Sequence, residues 1–117
     1  MSKLANRVKV STSTTGTGTI TLGSPEDGFY DFAEAGISDG QTVRYVIENG
    51  NNFEIGTGVF TASGTTLSRT PEETLVSGTA DITSPSAITL AGTSTVFVTV
   101  SSRNFAYQTA ISLIYGI

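Results

Sequence analysis

The chain contains no cysteine, no histidine and no tryptophan. Each absence removes a chemistry. Without cysteine there can be no disulfide and no thiolate metal site. Without histidine the usual general base, the usual zinc ligand and the near-neutral proton switch are gone. Without tryptophan there is no indole platform for a sugar ring. Charge is also scarce, at 14% of 117 residues, against about 25% in an average soluble domain. The net charge of −4 repels a nucleic-acid backbone unless the few bases cluster. No apolar run approaches a membrane span, and the opening MSKLANRVKV has no apolar signal-peptide core. The composition therefore predicts a protein made in a cytoplasm, with neither nucleic acid nor membrane as a partner.

Ser, Thr and Gly fill the space left by charge, and they suit strands and turns better than long helices. Apolar residues make up 38% of the chain and fall in short alternating runs, which opposes disorder. The length predicts one domain, residues 1–117. In STSTTGTGTITL, residues 11–22, the glycines are followed by no Gly-Lys-Ser/Thr and no helix start, so the physical parts of a phosphate-cradling loop are missing. Instead Val8 and Val10 alternate with Arg7 and Lys9, and Ile20 and Leu22 alternate after the glycines. That pattern predicts a strand over 6–15, a glycine turn or bulge, and a second strand.

Ser24-Pro25-Glu26-Asp27 has the composition of a helix start, Phe29, Phe32 and Ala33 have helical spacing, and Gly36 is a natural stop. One short helix is predicted over about 25–35. TVRYVIE at 42–48 predicts a strand with Val43, Tyr45 and Ile47 inward and Thr42, Arg44 and Glu48 outward. NGNN turns the chain. The next strand reads with Phe53 and Ile55 inward and Glu54 outward, and TLSRT pairs back to complete a three-stranded meander over 42–70. Residues 71–86, with two prolines, read as loop with at most one helical turn at PEETL. AITL at 87–90 and VFVTV at 96–100 read as a further hairpin. Phe53, Tyr45 and Phe97 are expected in the core. Arg7, Lys9 and Arg44 are expected on outward faces, for solvation or a subunit contact.

The last segment, FAYQTAISLIYGI, keeps large residues on odd positions over 105–117. Strict period two predicts one long strand, reaching roughly 40 Å at about 3.3 Å per residue. It carries no charge, Pro or other gatekeeper against edge-to-edge pairing. Such a strand is either central in its own domain or covered by another subunit. The latter is expected, with Phe105, Tyr107, Ile111, Leu113, Tyr115 and Ile117 as a subunit interface. The acids Glu26, Asp27, Asp31, Glu34 and Asp39 lack the spacing of a calcium loop and read as helix-start and solvated groups. Glu72 and Glu73 behind Pro71 read the same way. No catalytic, cofactor-binding or metal-ligating residue is expected.

Residues 6–70 resemble a small β-module of tailed-bacteriophage virion proteins, found at the N-termini of tail fibres and in short open reading frames among head and tail genes. The parts that carry the resemblance are TTGTGTITL, the strand Y-x-I-E-x-G ending at Gly50, and E-I-G-T-G-x-[FY]-T-x-[ST]-G-T-T-L-[ST]-R from Glu54 to Arg69. The resemblance implies a structural role in a phage particle and no catalytic residues. Together these features predict an all-β fold, an antiparallel β-sandwich or jelly-roll-like barrel with one short helix. They predict a non-enzymatic, homo-oligomeric virion component, contacting capsid, neck or tail proteins, assembled in the host bacterial cytoplasm. A glycan-binding module is the alternative.

Overall fold

The computed structural model describes residues 2–100, so the expected strand over 105–117 and its six interface residues lie outside the described residues. The strands are β1 (Lys9–Thr12), β2 (Ile20–Thr21), β3 (Thr42–Asn49), β4 (Asn52–Thr61), β5 (Thr66–Leu67), β6 (Thr70–Val76), β7 (Thr79–Asp81) and β8 (Ser94–Val98). The fold is all-β. The strands form one curled antiparallel sheet in the order β1-β8-β3-β4-β5-β2, with β6 on β4 and β7 on β6.

The β3–β4 hairpin sets the geometry. Asn49 pairs with Asn52 across a two-residue turn. Gly50 has φ 61°, which meets the positive φ a type II′ hairpin needs at its first turn position. The turn fixes the register, so Ile47 faces Glu54, Tyr45 faces Gly56 and Val43 faces Gly58. Cross-strand partners share a face. Val43, Tyr45 and Ile47 are buried as expected, so Glu54, Gly56 and Gly58 point inward with them. The expected facing of β4 is therefore inverted. Glu54 is fully buried, while Phe53 and Ile55 lie half-buried on the opposite face.

β4 also serves two ladders. Residues 53–57 pair with β6 and residues 60–61 with β5, so the strand turns a corner between them, and the glycines allow the crossing chains to touch. The curl encloses Val10, Ile20, Val43, Tyr45, Ile47, Leu67, Leu90 and Val96, with Phe32 stacked on Phe60 at 5.5 Å between centroids.

The predicted helix over 25–35 is absent. The backbone of residues 23–30 instead satisfies the free edge of β1. Gly23 N donates to Ser11 O (2.7 Å), Ser11 N to Ser24 O (3.0 Å), Glu26 N to Lys9 O (2.9 Å) and Tyr30 N to Arg7 O (2.7 Å). What remains is one turn. Asp31 and Glu34 cap each other's backbone N–H at 2.7 and 2.9 Å, a capping box without a helix behind it. Gly36, read from the sequence as a helix stop, instead closes this single turn, with φ 93°.

Three further expectations change. β1 covers only Lys9–Thr12, and β2 pairs with β5 and not with β1. The two arms around the TGTG loop meet through threonines: Thr12 Oγ1 donates to Thr21 O (2.6 Å), and Thr21 N donates to Thr14 Oγ1 (3.0 Å). Residues 70–76 and 79–81 form the β6–β7 hairpin in place of a loop. Pro71, which cannot donate to a ladder, sits where the β4–β6 register shifts. β8 inserts between β1 and β3 and does not pair with 87–90; Leu90 bridges to Gly16 instead. A central strand finds hydrogen-bond partners on both edges, which a local hairpin does not offer it.

A methyl group has no room at the corner. A Cβ on Gly58 would lie 2.1 Å from Ser68 O, and one on Gly56 would lie 2.3 Å from Thr70 O. Gly58→Ala and Gly56→Ala are each expected to destabilise the fold by about 1–3 kcal/mol. Urea unfolding should show lowered midpoints at unchanged slope; a wild-type midpoint would mean that the crossing has slack.

Candidate functional site

Two places in the described residues gather charged and aromatic side chains. The first is the interior facing β4. Arg69, between β5 and β6, reaches inward, with its side chain 1% exposed and that of Glu54 fully buried. Arg69 Nη2 and Nε donate to Glu54 Oε1 and Oε2 at 2.7 and 3.1 Å, the bidentate geometry that suits guanidinium and carboxylate. Nη1 donates to the carbonyls of Gly16 (3.1 Å) and Gly18 (3.2 Å), and Nη2 donates again to Ile88 O (2.7 Å). All five guanidinium donors are used. Glu54 also accepts from Tyr45 Oη (2.6 Å) and from Ile88 N (2.9 Å).

This cluster is saturated and sealed. The carboxylate accepts four hydrogen bonds, which fills its lone-pair capacity. Burial first, and the adjacent Glu54 carboxylate second, push the Tyr45 phenol far above its usual value, so it stays a donor. The arrangement clamps the glycine loop, the 85–90 segment and the β3–β4 hairpin together. Glu54 and Arg69 are also the first and last residues of the E-I-G-T-G-x-[FY]-T-x-[ST]-G-T-T-L-[ST]-R motif noted in the sequence, and Gly56 and Gly58 lie within it. Sequence reasoning missed the pair. The two-residue turn at Gly50-Asn51 was the available signal, because it fixes which face Glu54 shares with Ile47.

The second place is the outer face of the sheet. Arg7 and Lys9, expected outside, converge there on aromatics. The Arg7 guanidinium lies 4.0 Å from the Phe29 ring centroid, and Lys9 Nζ lies 5.1 Å from Phe29 and 5.9 Å from Phe97. Arg7 takes φ 58°, a conformation uncommon for a residue with a Cβ, and its Nη2 donates to Gly28 O (3.0 Å). With Glu48 and Val98 these residues line an open cleft of about 250 Å³. Phe97, expected in the core, belongs to this face, as does Phe53. Arg44 ion-pairs with Glu72 on the same side of the sheet.

Comparison with family models, with curated protein sequences and with solved structures returns no match. The expected interface residues Phe105, Tyr107, Ile111, Leu113, Tyr115 and Ile117 lie outside the described residues, so the interior cluster and the outer face are the sites on view.

Removing one member of a buried ion pair strands the other. Glu54→Ala and Arg69→Met are each expected to cost about 3–5 kcal/mol, and the double variant Glu54→Leu/Arg69→Met far less than the sum. Denaturant unfolding of the four proteins checks this; additive losses would mean that the two side chains act independently.

Tyr45 gives a pH dependence of definite sign. A phenol pKa raised by folding contributes stability that is complete below the unfolded value of about 10 and is lost as pH rises beyond it. Unfolding free energy is expected to fall above pH 10, and Tyr45→Phe to flatten that limb. An identical alkaline slope in both proteins would count against the Tyr45–Glu54 bond.

Proposed function

We propose that this chain is a non-enzymatic structural component of a tailed-bacteriophage particle, a capsid-decoration, head-fibre, tail or baseplate accessory protein that self-associates through its β-strands. The observation that carries the reading is the coincidence of the resembling motif with the fold's buried framework. Glu54, Gly56, Gly58 and Arg69 are motif positions, and each has a structural role. The two charges form the buried pair, and the two glycines make the chain crossing possible. A pattern whose residues hold a scaffold together suits a module used for its shape. The saturated Glu54–Arg69–Tyr45 cluster supports the non-enzymatic part, because its charged groups have no bonding capacity left for a substrate. The sandwich or jelly-roll-like architecture expected from the sequence belongs to the same reading, as the form the curled sheet takes when a second layer covers it.

Mass spectrometry of purified particles from a phage encoding this chain is the test. The protein is expected in fixed stoichiometry with capsid or tail proteins. Its absence from particles, with the protein present in the infected cell, would overturn the reading.

A further inference from the structure

The outer face of the sheet carries a cross-strand row that runs from a cation to an acid. Lys9, Phe97, Val46, Ile55 and Glu73 are successive Cα partners on β1, β8, β3, β4 and β6. Five strands about 4.8 Å apart make this row roughly 19 Å long. Beside it, Thr95, Glu48, Phe53 and Leu75 form a second row. Val46 is buried, at 9% exposure, and Phe53, Ile55, Leu75 and Phe97 are half-buried; all five are apolar and lie outside the core cluster. The register that turns Glu54 inward leaves them on the other side of the sheet.

The order of the first row makes it complementary to itself. A two-fold axis between two such faces, parallel to the strands, lays Lys9 of one copy on Glu73 of the other, and the reverse. The same operation sets Phe97 against Ile55 and Val46 against its own counterpart. An isologous contact requires this reciprocity, in which residue i meets j and j meets i. Glu72, next to Glu73 at the β4–β6 bulge, is already paired with Arg44, so Glu73 carries the acidic end, while Arg7 adds to the basic end beside Lys9. Arg44 also stands on this face of β3, with its charge met by Glu72, which leaves Glu48 as the exception. It falls close to the axis, where it would meet its own copy, and it lines the cleft with Arg7 and Lys9.

We propose that this outer face is where two copies of the chain meet, sheet on sheet, with apolar rows interdigitating at the roughly 10 Å spacing of packed sheets. The proposal deepens the reading above and rests on its self-association, not on its virion placement. Absence from particles would remove that placement and leave the face standing.

Sedimentation velocity on the full chain at graded concentrations and low salt is the experiment, with far-UV circular dichroism as the folding control. The wild type is expected to dimerise. Lys9→Glu and Glu73→Lys, both at the ends of the row, should each weaken the dissociation constant by about tenfold, because symmetry reverses two contacts at once. An equimolar mixture of the two variants should recover it, as should the double variant, while Glu48→Gln should tighten it. Phe53→Glu should give a monomer, and a chain lacking 105–117 should still dimerise. A wild type that stays monomeric overturns the proposal, as does a dimer indifferent to both charge reversals or a mixture that fails to recover. A dimer lost on removing 105–117 overturns the face and leaves self-association intact. A dimer that appears only on that removal overturns the face as a contact between copies of the full chain.

Discussion

The Arg69 guanidinium and the Glu54 carboxylate hold the structure at its centre, and most of the remaining fold is arranged to meet their demands. Two charges taken out of water are costly unless each hydrogen-bonding position is filled. Here they are filled from four parts of the chain: Tyr45 on β3, Glu54 on β4, the carbonyls of Gly16 and Gly18, and both backbone groups of Ile88. None of these segments is a neighbour of Arg69 in sequence. The threonine- and glycine-rich loop thereby becomes a ligand for an internal cation. Its lack of bulky side chains lets two carbonyls approach one nitrogen.

A pair of this kind adds little net stability compared with apolar residues of similar volume. Its consequence is specificity. A one-residue slip of β4 against β3 would carry Glu54 to the outer face and leave Arg69 buried without its carboxylate. The cost of that error is far larger than the cost of misplacing a phenylalanine. The sheet accordingly tolerates Phe53 and Ile55 outside in order to keep Glu54 inside. The apolar outer face and the buried ion pair are two results of one hairpin register.

Edges are treated in the same way. β1 would end the sheet with a row of unpaired backbone groups, and residues 23–30 lie along it instead. That use of the backbone is incompatible with helical hydrogen bonding, so Pro25, Glu26 and Asp27, good helix-start residues, form no helix. The capping exchange between Asp31 and Glu34 survives as a single turn because it needs only its own four residues. Local signals were obeyed where nothing competed and overruled where an open strand edge did.

The sequence by itself determined the all-β class, the strands at β3 and β4, the turn at Gly50 and the inward set Val43, Tyr45 and Ile47. Period-two alternation and a two-residue turn are local properties, and they leave little choice of structure. The tertiary structure alone decided which face of β4 is buried, because Phe-Glu-Ile-Gly-Thr-Gly alternates equally well in either sense. Hydrophobicity favours one sense, while a cross-strand register and a distant arginine impose the other. It also decided the partners of β8 and β2, and the hairpin built from 70–81, since pairing between strands remote in sequence leaves no periodic trace in either one. The six cations look alike in the sequence. Among the described residues burial distinguishes them: Arg69 became the internal hub, and Arg7 and Lys9 gathered over Phe29 on the outer face, because only the folded chain sets the distance from each charge to water.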